Sequence, residues 1–436
     1  MTNEERVGEI FGSLKAAGLA AGEVYLKNGR SRRFEVGSQG RVGGYSQEQG
    51  WAIRAGSSRA SLFVAGTGLP SAGLGWPAPD GQSLSLPAAV PIPPWQPPTD
   101  LDSSLVAESE AIALLEGIER ALVGELAGSR LVRGLLEEGS SETSIYNTLG
   151  VKVDYRSRAA SLFVDAVGPW KGSASVSLAL AERVHRRLKP VVVAKRLANR
   201  LLLSRKGMTP DRERGEILVG AAVSARVLAS LQPLLLGGAG EQWAARLRDR
   251  HGRIGSKHLT VVDDGRLEGG VLEAPVDGEG LPTGRVCLIE EGRFRQSLTD
   301  WRKSRGQIQS ATGWMRRESW RDLPRVAPSH LFIEPDTGVT VGDLLSSIAR
   351  GFYLLEPLGV GRFDFEQDRF QLPVCGFALR QGAATAPLSR AWLEGSIGAF
   401  LHRVQAVARD LTFQPLGAMI GAPTLLVSGF GLRGED

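Results

Sequence analysis

Cysteine is scarce in this chain of 436 residues, which contains only Cys287 and Cys375. Two cysteines cannot build a disulfide framework, and their spacing matches no zinc-ribbon or redox motif. Long apolar runs are also missing. A membrane helix needs about 18 or more consecutive apolar residues, and the sequence contains no such stretch. The start, Met1-Thr2-Asn3-Glu4, lacks the basic-then-apolar profile of a secretory signal. We therefore expect a cytoplasmic protein with no membrane partner.

A strong excess of charge is absent too, because 52 basic and 47 acidic residues leave a net charge of +5. Basic residues do concentrate between Arg183 and Arg214. This run is typical of solvated helix faces, and the alternative is a surface for nucleic acid or an acidic partner. No interleaved aromatics, helix-turn-helix or zinc finger accompany it. We therefore do not expect nucleic acid as a partner.

The length and the changes of composition along the chain predict two domains. Residues 1–206 form the first, an α+β region, and residues 207–436 form the second. A proline-rich stretch at about 67–102 excludes a long helix or a central strand and indicates a linker or extended arm. The predicted fold class is α+β, with an N-terminal helix-plus-antiparallel-meander region followed by a β-rich C-terminal domain.

Helix signals and strand signals alternate in the first domain. Thr2-x-x-Glu5 predicts a capping box for an opening amphipathic helix that ends near Gly18. Ser103 or Ser104 is the expected cap of a second helix. A meander of short strands follows each helix, which hints at two related halves. The expected strands are 23–27, 33–36, 51–55, 61–64, 129–135, 143–146, 151–155 and 159–164, and further helices are expected near 177–188 and 192–203.

Short strand candidates punctuated by glycine dominate the second domain. They lie at 216–219, 259–262, 286–289, 331–333 and 425–427. Helices are expected at 221–235, 341–350 and 396–409.

Several turn-and-strand segments resemble, in order and spacing, the C-terminal domain of the TldD/PmbA family. They are Thr260-Val261-Val262-Asp263-Asp264-Gly265, Asp277-Gly278-Glu279-Gly280-Leu281-Pro282-Thr283, Leu288-Ile289-Glu290-Glu291-Gly292-Arg293-Phe294, Ser310-Ala311-Thr312-Gly313-Trp314-Met315-Arg316-Arg317, Gly351-Phe352-Tyr353, the hairpin residues Leu379, Gly382 and Pro387, and Asn147-Thr148-Leu149-Gly150. Trp314 stands where the family has asparagine. The resemblance makes Asp277, Glu279, Thr312 and Arg316 candidate cleft-facing residues, and the alternative for the Asp and Gly positions is a structural role in tight turns.

The TldD branch of this family resembles metallopeptidases, with a His-Glu-x-x-x-His segment at the start of a helix that supplies zinc ligands and a general base. The matching positions here are Gly220, Ala221 and Ala225. TldD-type proteins also carry a cysteine ligand near the C-terminus, whereas Cys375 lies too far upstream. The five histidines are scattered. We therefore expect no catalytic residues, no metal site and no cofactor.

This pattern resembles the zinc-free PmbA/TldE branch, also labelled modulator of DNA gyrase. The resemblance implies a non-catalytic subunit that pairs with a TldD-type zinc peptidase subunit in a hetero-oligomer acting on unfolded peptides. Two alternatives stay open: a regulator that binds DNA or a DNA-associated protein, and a stand-alone homodimer that binds peptides. Whether the chain is an enzyme also stays open, and we expect it to be inactive alone.

Overall fold

The computed structural model describes residues 2–37, 40–80, 82–171, 175–203, 207–208, 210, 213–303 and 313–434. Within these ranges the α-helices are α1 (Asn3–Ala16), α2 (Glu108–Glu125), α3 (Pro190–Leu203), α4 (Ala221–Leu231), α5 (Ala239–Leu247), α6 (Val341–Ser347) and α7 (Ile397–His402). The strands are β1 (Ala21–Gly37), β2 (Gly40–Gly56), β3 (Ser61–Thr67), β4 (Arg130–Asn147), β5 (Lys152–Val167), β6 (Val176–Glu182), β7 (Glu213–Val219), β8 (Val261–Asp264), β9 (Arg285–Glu290), β10 (Arg293–Phe294), β11 (Met315–Arg316), β12 (Arg325–Val326), β13 (His330–Ile333), β14 (Arg350–Pro357), β15 (Arg362–Asp364), β16 (Arg369–Arg380), β17 (Ala383–Gly395), β18 (Val404–Val407), β19 (Thr412–Pro415), β20 (Met419–Ala422) and β21 (Leu425–Gly434).

The opening helix forms for the reasons that its sequence predicts. The Thr2 hydroxyl accepts from the Glu5 amide, and the Glu5 carboxylate accepts from the Thr2 amide, which completes the capping box. Ile10 and Leu14 bury one face of α1, and each such aliphatic side chain stabilises the fold by roughly 1.5–3 kcal/mol. Gly18 follows the helix at φ +79°, a conformation that favours glycine.

The second helix begins later than the sequence predicts. Helix α2 starts at Glu108 after Ala107, and the Ala107 amide donates a hydrogen bond to the Glu110 carboxylate. Ser103 and Ser104 therefore do not cap it. Their carbonyls accept hydrogen bonds from the Arg158 guanidinium instead.

One antiparallel sheet in the order β3-β2-β1-β4-β5-β6 fills the N-terminal region. The succession helix, strand, strand, strand occurs twice, and the first strand of each set, β1 and β4, pair at the centre. The strands are longer than predicted, because β1 joins the expected strands 23–27 and 33–36 into one. Helices α2 and α3 pack on one face of this sheet through a common apolar core.

The helix expected at 177–188 is wrong, because residues 176–182 form strand β6 on the edge of the sheet. Val176, Leu178 and Leu180 pair with β5. A short 3-10 turn at His185–Arg187 follows. The gain from completing the sheet outweighs the helix propensity of the Ala, Leu and Glu residues.

The C-terminal region contains two larger sheets. One has the order β10-β9-β8-β13-β20-β19. In the other, β14 pairs with both β7 and β16, which closes the strands β14, β7, β21, β17 and β16 into a ring. Helix α4 packs against β14 of the ring and β19 and β20 of the open sheet. The observed architecture confirms the predicted α+β class with a β-rich C-terminal region.

Besides α4, whose expected last residues Gln232–Leu235 form a 3-10 turn, two C-terminal helices end earlier than predicted. Helix α6 stops at Ser347 because Arg350 already pairs in strand β14. Helix α7 stops at His402, and residues 404–407 form β18, which pairs with β21. In both cases a ladder with a distant strand replaces the last helical turns.

The proline-rich stretch lies along the surface and contacts both regions. The Pro87 carbonyl accepts from the Asn147 side chain of the N-terminal sheet. Trp95 donates its indole N–H to Glu273, and Arg266 donates to the carbonyls of Pro93 and Pro94. Among the helices in the described ranges, none is long and apolar enough to cross a bilayer.

Candidate functional site

A cavity of about 700 Å³ lies at the start of α4, and we call it the α4 cavity. Its C-terminal wall includes Gly220 and Ala221 before and at the start of the helix, with His330 of β13 and Tyr353 of β14. The N-terminal wall comes from β6, from residues 187–189 and from the exposed side of α3. The cavity therefore opens between the two regions, next to the turn from β7 into α4.

The turn into α4 is closely packed. At residue 220, the first position of the metal-binding pattern, there is no room for the side chain of a zinc ligand. The Gly220 amide donates to the Leu354 carbonyl at 2.8 Å. A Cβ on residue 220 would lie 2.7 Å from that same carbonyl and 3.3 Å from the Tyr353 ring. Ala221 faces the cavity with a methyl group, and Ala225 is 0% exposed within the C-terminal core. The three positions of the metal-binding pattern thus offer no donor atom.

His330 is the histidine that lines the α4 cavity, but both of its ring nitrogens are engaged by backbone groups. Nδ1 lies 2.8 Å from the Asp264 carbonyl, and Nε2 accepts from the Leu272 amide at 3.2 Å. This arrangement needs the neutral tautomer with the proton on Nδ1. Burial lowers the pKa of His330 to about 4, which agrees with a neutral ring. The imidazole has no lone pair left for a metal.

Two acidic side chains that line the α4 cavity, Glu356 and Asp410, are also engaged, by ion pairs and hydrogen bonds within the protein. Glu356 accepts from Arg196 at 3.4 Å and from Arg200 at 2.7 Å. Asp410 accepts from the backbone amide and the hydroxyl of Thr424. In the part of the chain that the structure describes, no group of three or more His, Cys, Asp or Glu residues is placed to hold a metal. The residues around α4 therefore do not fit a catalytic zinc.

Among the described residues, internal ion pairs engage several members of the basic run between Arg183 and Arg214, whereas Arg205, Lys206 and Arg212 lie outside the described residues. Arg183 is 2% exposed and contacts Asp100 at 2.5 Å and Glu273 at 3.2 Å. Arg186 pairs with Glu110, and Arg196 and Arg200 pair with Glu356. These guanidinium groups link α3 and its preceding turn to the proline-rich stretch and to the C-terminal region. They do not form an open cationic face of the kind that phosphates require.

The four residues proposed from the family motifs do not share one cavity. Asp277 and Arg316 line a second cavity, of about 620 Å³, between the N-terminal sheet and the C-terminal loops. Glu279 is 0% exposed and lies in an ion-pair cluster. Thr312 lies outside the described residues.

Asp277 holds its own loop together. One carboxylate oxygen accepts from the amides of Glu279 and Leu281 at 2.9 and 3.0 Å, and the other accepts from the Met315 amide at 3.1 Å. Burial, reinforced by the neighbouring Glu279 carboxylate, nevertheless raises the pKa of Asp277 to about 7. Arg316 donates to the Gly313 carbonyl and the Ser329 hydroxyl.

Glu279 belongs to a cluster of buried charges that joins the two regions. It contacts Arg54 of β2 at 2.7 Å and Arg302 at 2.6 Å, and it accepts from the Trp301 indole at 2.9 Å. Arg54 also pairs with Glu23 of β1, which in turn pairs with Arg317. Asp300 pairs with Arg302 at 2.9 Å, so three arginines face three carboxylates. We call these six side chains the inter-region ion cluster.

The residues that line the α4 cavity from the N-terminal side were not among the cleft-facing residues proposed from the family motifs, although some lie in the basic run. Arg196 and its partner Glu356 are 160 residues apart in the chain. His330 and the Leu272 amide that bonds it are 58 residues apart. No local pattern signals such pairs, and a lone histidine on an apolar strand carries no specific signal by itself.

Comparison with known proteins agrees with this geometry. The family model described as PmbA/TldA metallopeptidase C-terminal domain matches residues 212–434. A metalloprotease of Methanocaldococcus jannaschii is 30% identical over 159 residues, which are 36% of this chain and 35% of that protein. A metalloprotease TldD homolog of Haemophilus influenzae is 28% identical over 162 residues, 36% of this chain and 33% of that protein. The matched segments thus span about a third of these relatives.

Solved structures share the fold along the whole chain. TldE from Thermococcus kodakarensis superposes with a TM-score of 0.81 at 17% identity, covering 98% of this chain and 99% of that one. A putative modulator of a DNA gyrase from Thermotoga maritima gives a TM-score of 0.81 at 15% identity, covering 99% of this chain and 100% of that one. Since the family model covers half of the chain, and all of the family-like segments found in the sequence except the one at residues 147–150 lie inside it, this chain is a member of the PmbA/TldD metallopeptidase family.

Proposed function

We propose that this chain is the non-catalytic partner subunit of a TldD-type metallopeptidase complex that degrades or processes unfolded peptides. The observation that carries the proposal is the start of α4, where Gly220, Ala221 and Ala225 occupy the positions of the metal-binding pattern. The strand, the helix and the α4 cavity around them are retained. A fold kept without its reactive groups supports a role in assembly and peptide contact.

The α4 cavity offers binding groups but no ligand set for a metal that would activate water. Peptide hydrolysis of this class needs a metal-bound water and a general base beside the scissile carbonyl. The cavity instead presents the Ala221 methyl, the neutral His330 ring and an occupied Glu356. A peptide in this cavity would be held and not cleaved.

We propose that the chain consists of two structural domains, residues 1–206 and residues 207–436. The first contains the whole six-stranded N-terminal sheet, and the second contains the ring and the open sheet. The inter-region ion cluster supports a fixed arrangement of the two units, because it buries charges from β1 and β2 against the C-terminal loops. A rigid subunit is suited to shape one wall of a shared chamber.

The test is reconstitution with a TldD-type protein from the same organism. Alone, this chain should not hydrolyse an unfolded peptide such as reduced, carboxymethylated casein. Mixed at micromolar concentration, the two proteins should elute as one complex in size-exclusion chromatography with light scattering, and the complex should hydrolyse the peptide.

The matched control is the same complex in which the partner's zinc-binding histidines are replaced by alanine, which should assemble without activity. Cleavage by this chain alone in the presence of a chelator would refute the proposal. Failure to associate, with a homodimer as the sole species, would favour the stand-alone peptide-binding protein instead.

A further inference from the structure

The cavity of about 620 Å³ on the N-terminal sheet carries chemistry that the proposed function does not use. We call it the sheet cavity. Its floor is one face of β1, β4 and β5, and its roof is formed by residues 271–278, 316–318 and 325–328 of the C-terminal region. It is distinct from the α4 cavity, although Val271 lines both.

The floor of the sheet cavity is built from very small side chains in register. Strand pairing aligns Gly29 with Ser141 and Ser157 in one row across β1, β4 and β5. The next row contains Ser31, Gly139 and Ala159. Ser141 and Ser157 share a hydrogen bond of 2.9 Å. Such a floor lets an extended chain lie close to the sheet and supplies hydroxyl groups to its amides.

The two ends of this floor carry opposite charges. Lys27 lies in the row with Thr143 and Tyr155, and Glu137 lies three rows away in the row with Ser161 and with Arg33, which pairs with Glu35. Both side chains line the sheet cavity. The separation along β4 is six residues, or about 20 Å at roughly 3.3 Å per residue.

Within the described residues, neither the Lys27 ammonium nor the Glu137 carboxylate makes a direct hydrogen bond or ion pair. The acid that acts electrostatically on Lys27 is Glu48, whose carboxylate contacts the Trp320 indole and Arg321, each at 3.0 Å. Burial lowers the pKa of Lys27 more than the Glu48 carboxylate raises it, so the ammonium lacks both full solvation and a hydrogen-bonded partner. An incoming carboxylate would restore both.

We propose that the sheet cavity binds a short extended peptide of about six residues with free termini, its C-terminal carboxylate on Lys27 and its N-terminal ammonium on Glu137. A peptide supplies the two opposite end charges and the backbone groups that the seryl floor can bond. Apolar roof residues such as Leu272, which is 41% exposed, provide contact for its side chains. A polyanion such as a nucleic acid would place phosphates against Glu137, which disfavours it.

This proposal goes beyond the partner-subunit role and does not depend on it, because it concerns the isolated chain. The experiment is isothermal titration calorimetry of the full chain with a six-residue alanine and serine peptide. The peptide is used with free ends, amidated at the C-terminus, acetylated at the N-terminus, and blocked at both ends. Each block should weaken binding about tenfold, since an ion pair of this kind contributes on the order of 1.4 kcal/mol.

Two variants test which residue binds each end of the peptide. Lys27→Met should weaken the free peptide about tenfold and abolish the effect of amidation, and Glu137→Gln should abolish the effect of acetylation. Lys152→Met and Glu116→Gln are matched controls, because both residues pair on the surface outside the cavity, and they should change nothing. A tripeptide should respond to amidation but not to acetylation, because it cannot span the floor.

Equal binding of free and doubly blocked peptides would overturn the proposal, as would the absence of binding at millimolar concentration. The proposal would also be overturned if a single-stranded oligonucleotide displaced the peptide and its own binding were lost in Lys27→Met. That result would indicate a nucleic-acid site. The blocked peptides test the wild-type chain, so the result does not rely on the folding of a variant. The Lys27→Met variant should still form a complex with the TldD-type protein. Association is therefore measured separately from peptide binding, and failure of one proposal can be told from failure of the other.

Discussion

Replacement of Glu279 by glutamine measures how strongly the inter-region ion cluster stabilises the fold. Glu279 is 0% exposed and lies 2.7 Å from Arg54 and 2.6 Å from Arg302. Glutamine keeps the shape but removes the negative charge, so three guanidinium groups then face two carboxylates. It also turns an NH₂ group toward donors that now lack an acceptor.

Breaking a buried ion pair costs about 3–5 kcal/mol when one partner stays behind. The lower end applies here, since Arg54 keeps Glu23 and the partly exposed Arg302 keeps Asp300. We expect Glu279→Gln to lower the free energy of unfolding by about 3 kcal/mol. Glu290→Gln is the matched control, because its pair with Arg295 is half exposed on both sides and contributes less than about 1 kcal/mol.

Urea unfolding followed by tryptophan fluorescence and by circular dichroism measures both variants. The difference between wild type and Glu279→Gln should also shrink in acid. Burial alone raises the pKa of Glu279, but Arg54 and Arg302 outweigh it and hold the net pKa below the usual glutamate range. The stabilisation is therefore complete above that range and is lost as the pH falls through the depressed pKa. A loss no larger than that of Glu290→Gln, or a loss unchanged in acid, would refute this account of the cluster.

Three further predictions follow from the site. In the folded protein the pKa of Asp277 is raised to about 7, so its protonated form stabilises the fold at low pH. This contribution to the free energy of unfolding is lost as the pH rises from the usual aspartate pKa toward 7. Wild type should therefore lose stability relative to Asp277→Asn by on the order of 1 kcal/mol per pH unit between pH 5 and 7, and parallel curves in urea titrations would contradict this. The triple variant Gly220→His, Ala221→Glu, Ala225→His should bind no stoichiometric zinc by metal analysis. It should melt at a lower temperature than Ala221→Glu alone, because residue 220 meets the Leu354 carbonyl and residue 225 lies in the core. One tightly held zinc at unchanged stability would show that the packing argument is wrong. Duplex DNA should bind weakly and be released steeply by salt in fluorescence anisotropy, whereas salt-resistant, sequence-selective binding would restore the regulator alternative.

Features with a local cause were predictable from the sequence. The capping box of α1 and its apolar spacing involve residues within one or two helical turns, and the structure confirms both. The absence of donor side chains at the start of α4 is likewise a property of consecutive residues. The fold class followed from the alternation of such signals along the chain.

Features decided by distant partners were not predictable. The segment at 177–188 has good helix formers, yet its alternating Val176, Leu178 and Leu180 complete a sheet edge against β5. Glu279 was proposed as cleft-facing from a motif, but its surroundings depend on Arg54, which is far away in the chain. Lys27 was not singled out at all, because its place on the same cavity floor as Glu137, three rows along the sheet, exists only once β1 and β4 pair.

The proline-rich stretch acts as a brace between the two regions, although its composition is that of a tether. One side is held by Asn147 and the other by Arg302, which donates to the Ser85 carbonyl, and by Glu273 through Trp95. Because it crosses the boundary while bonded to both regions, the two cannot separate without peeling it away. Motion of the N-terminal sheet relative to the ring is therefore restrained by a segment with no regular secondary structure of its own over most of its length. Cutting the chain within this stretch would leave each half carrying part of the brace, so the severed halves should remain associated.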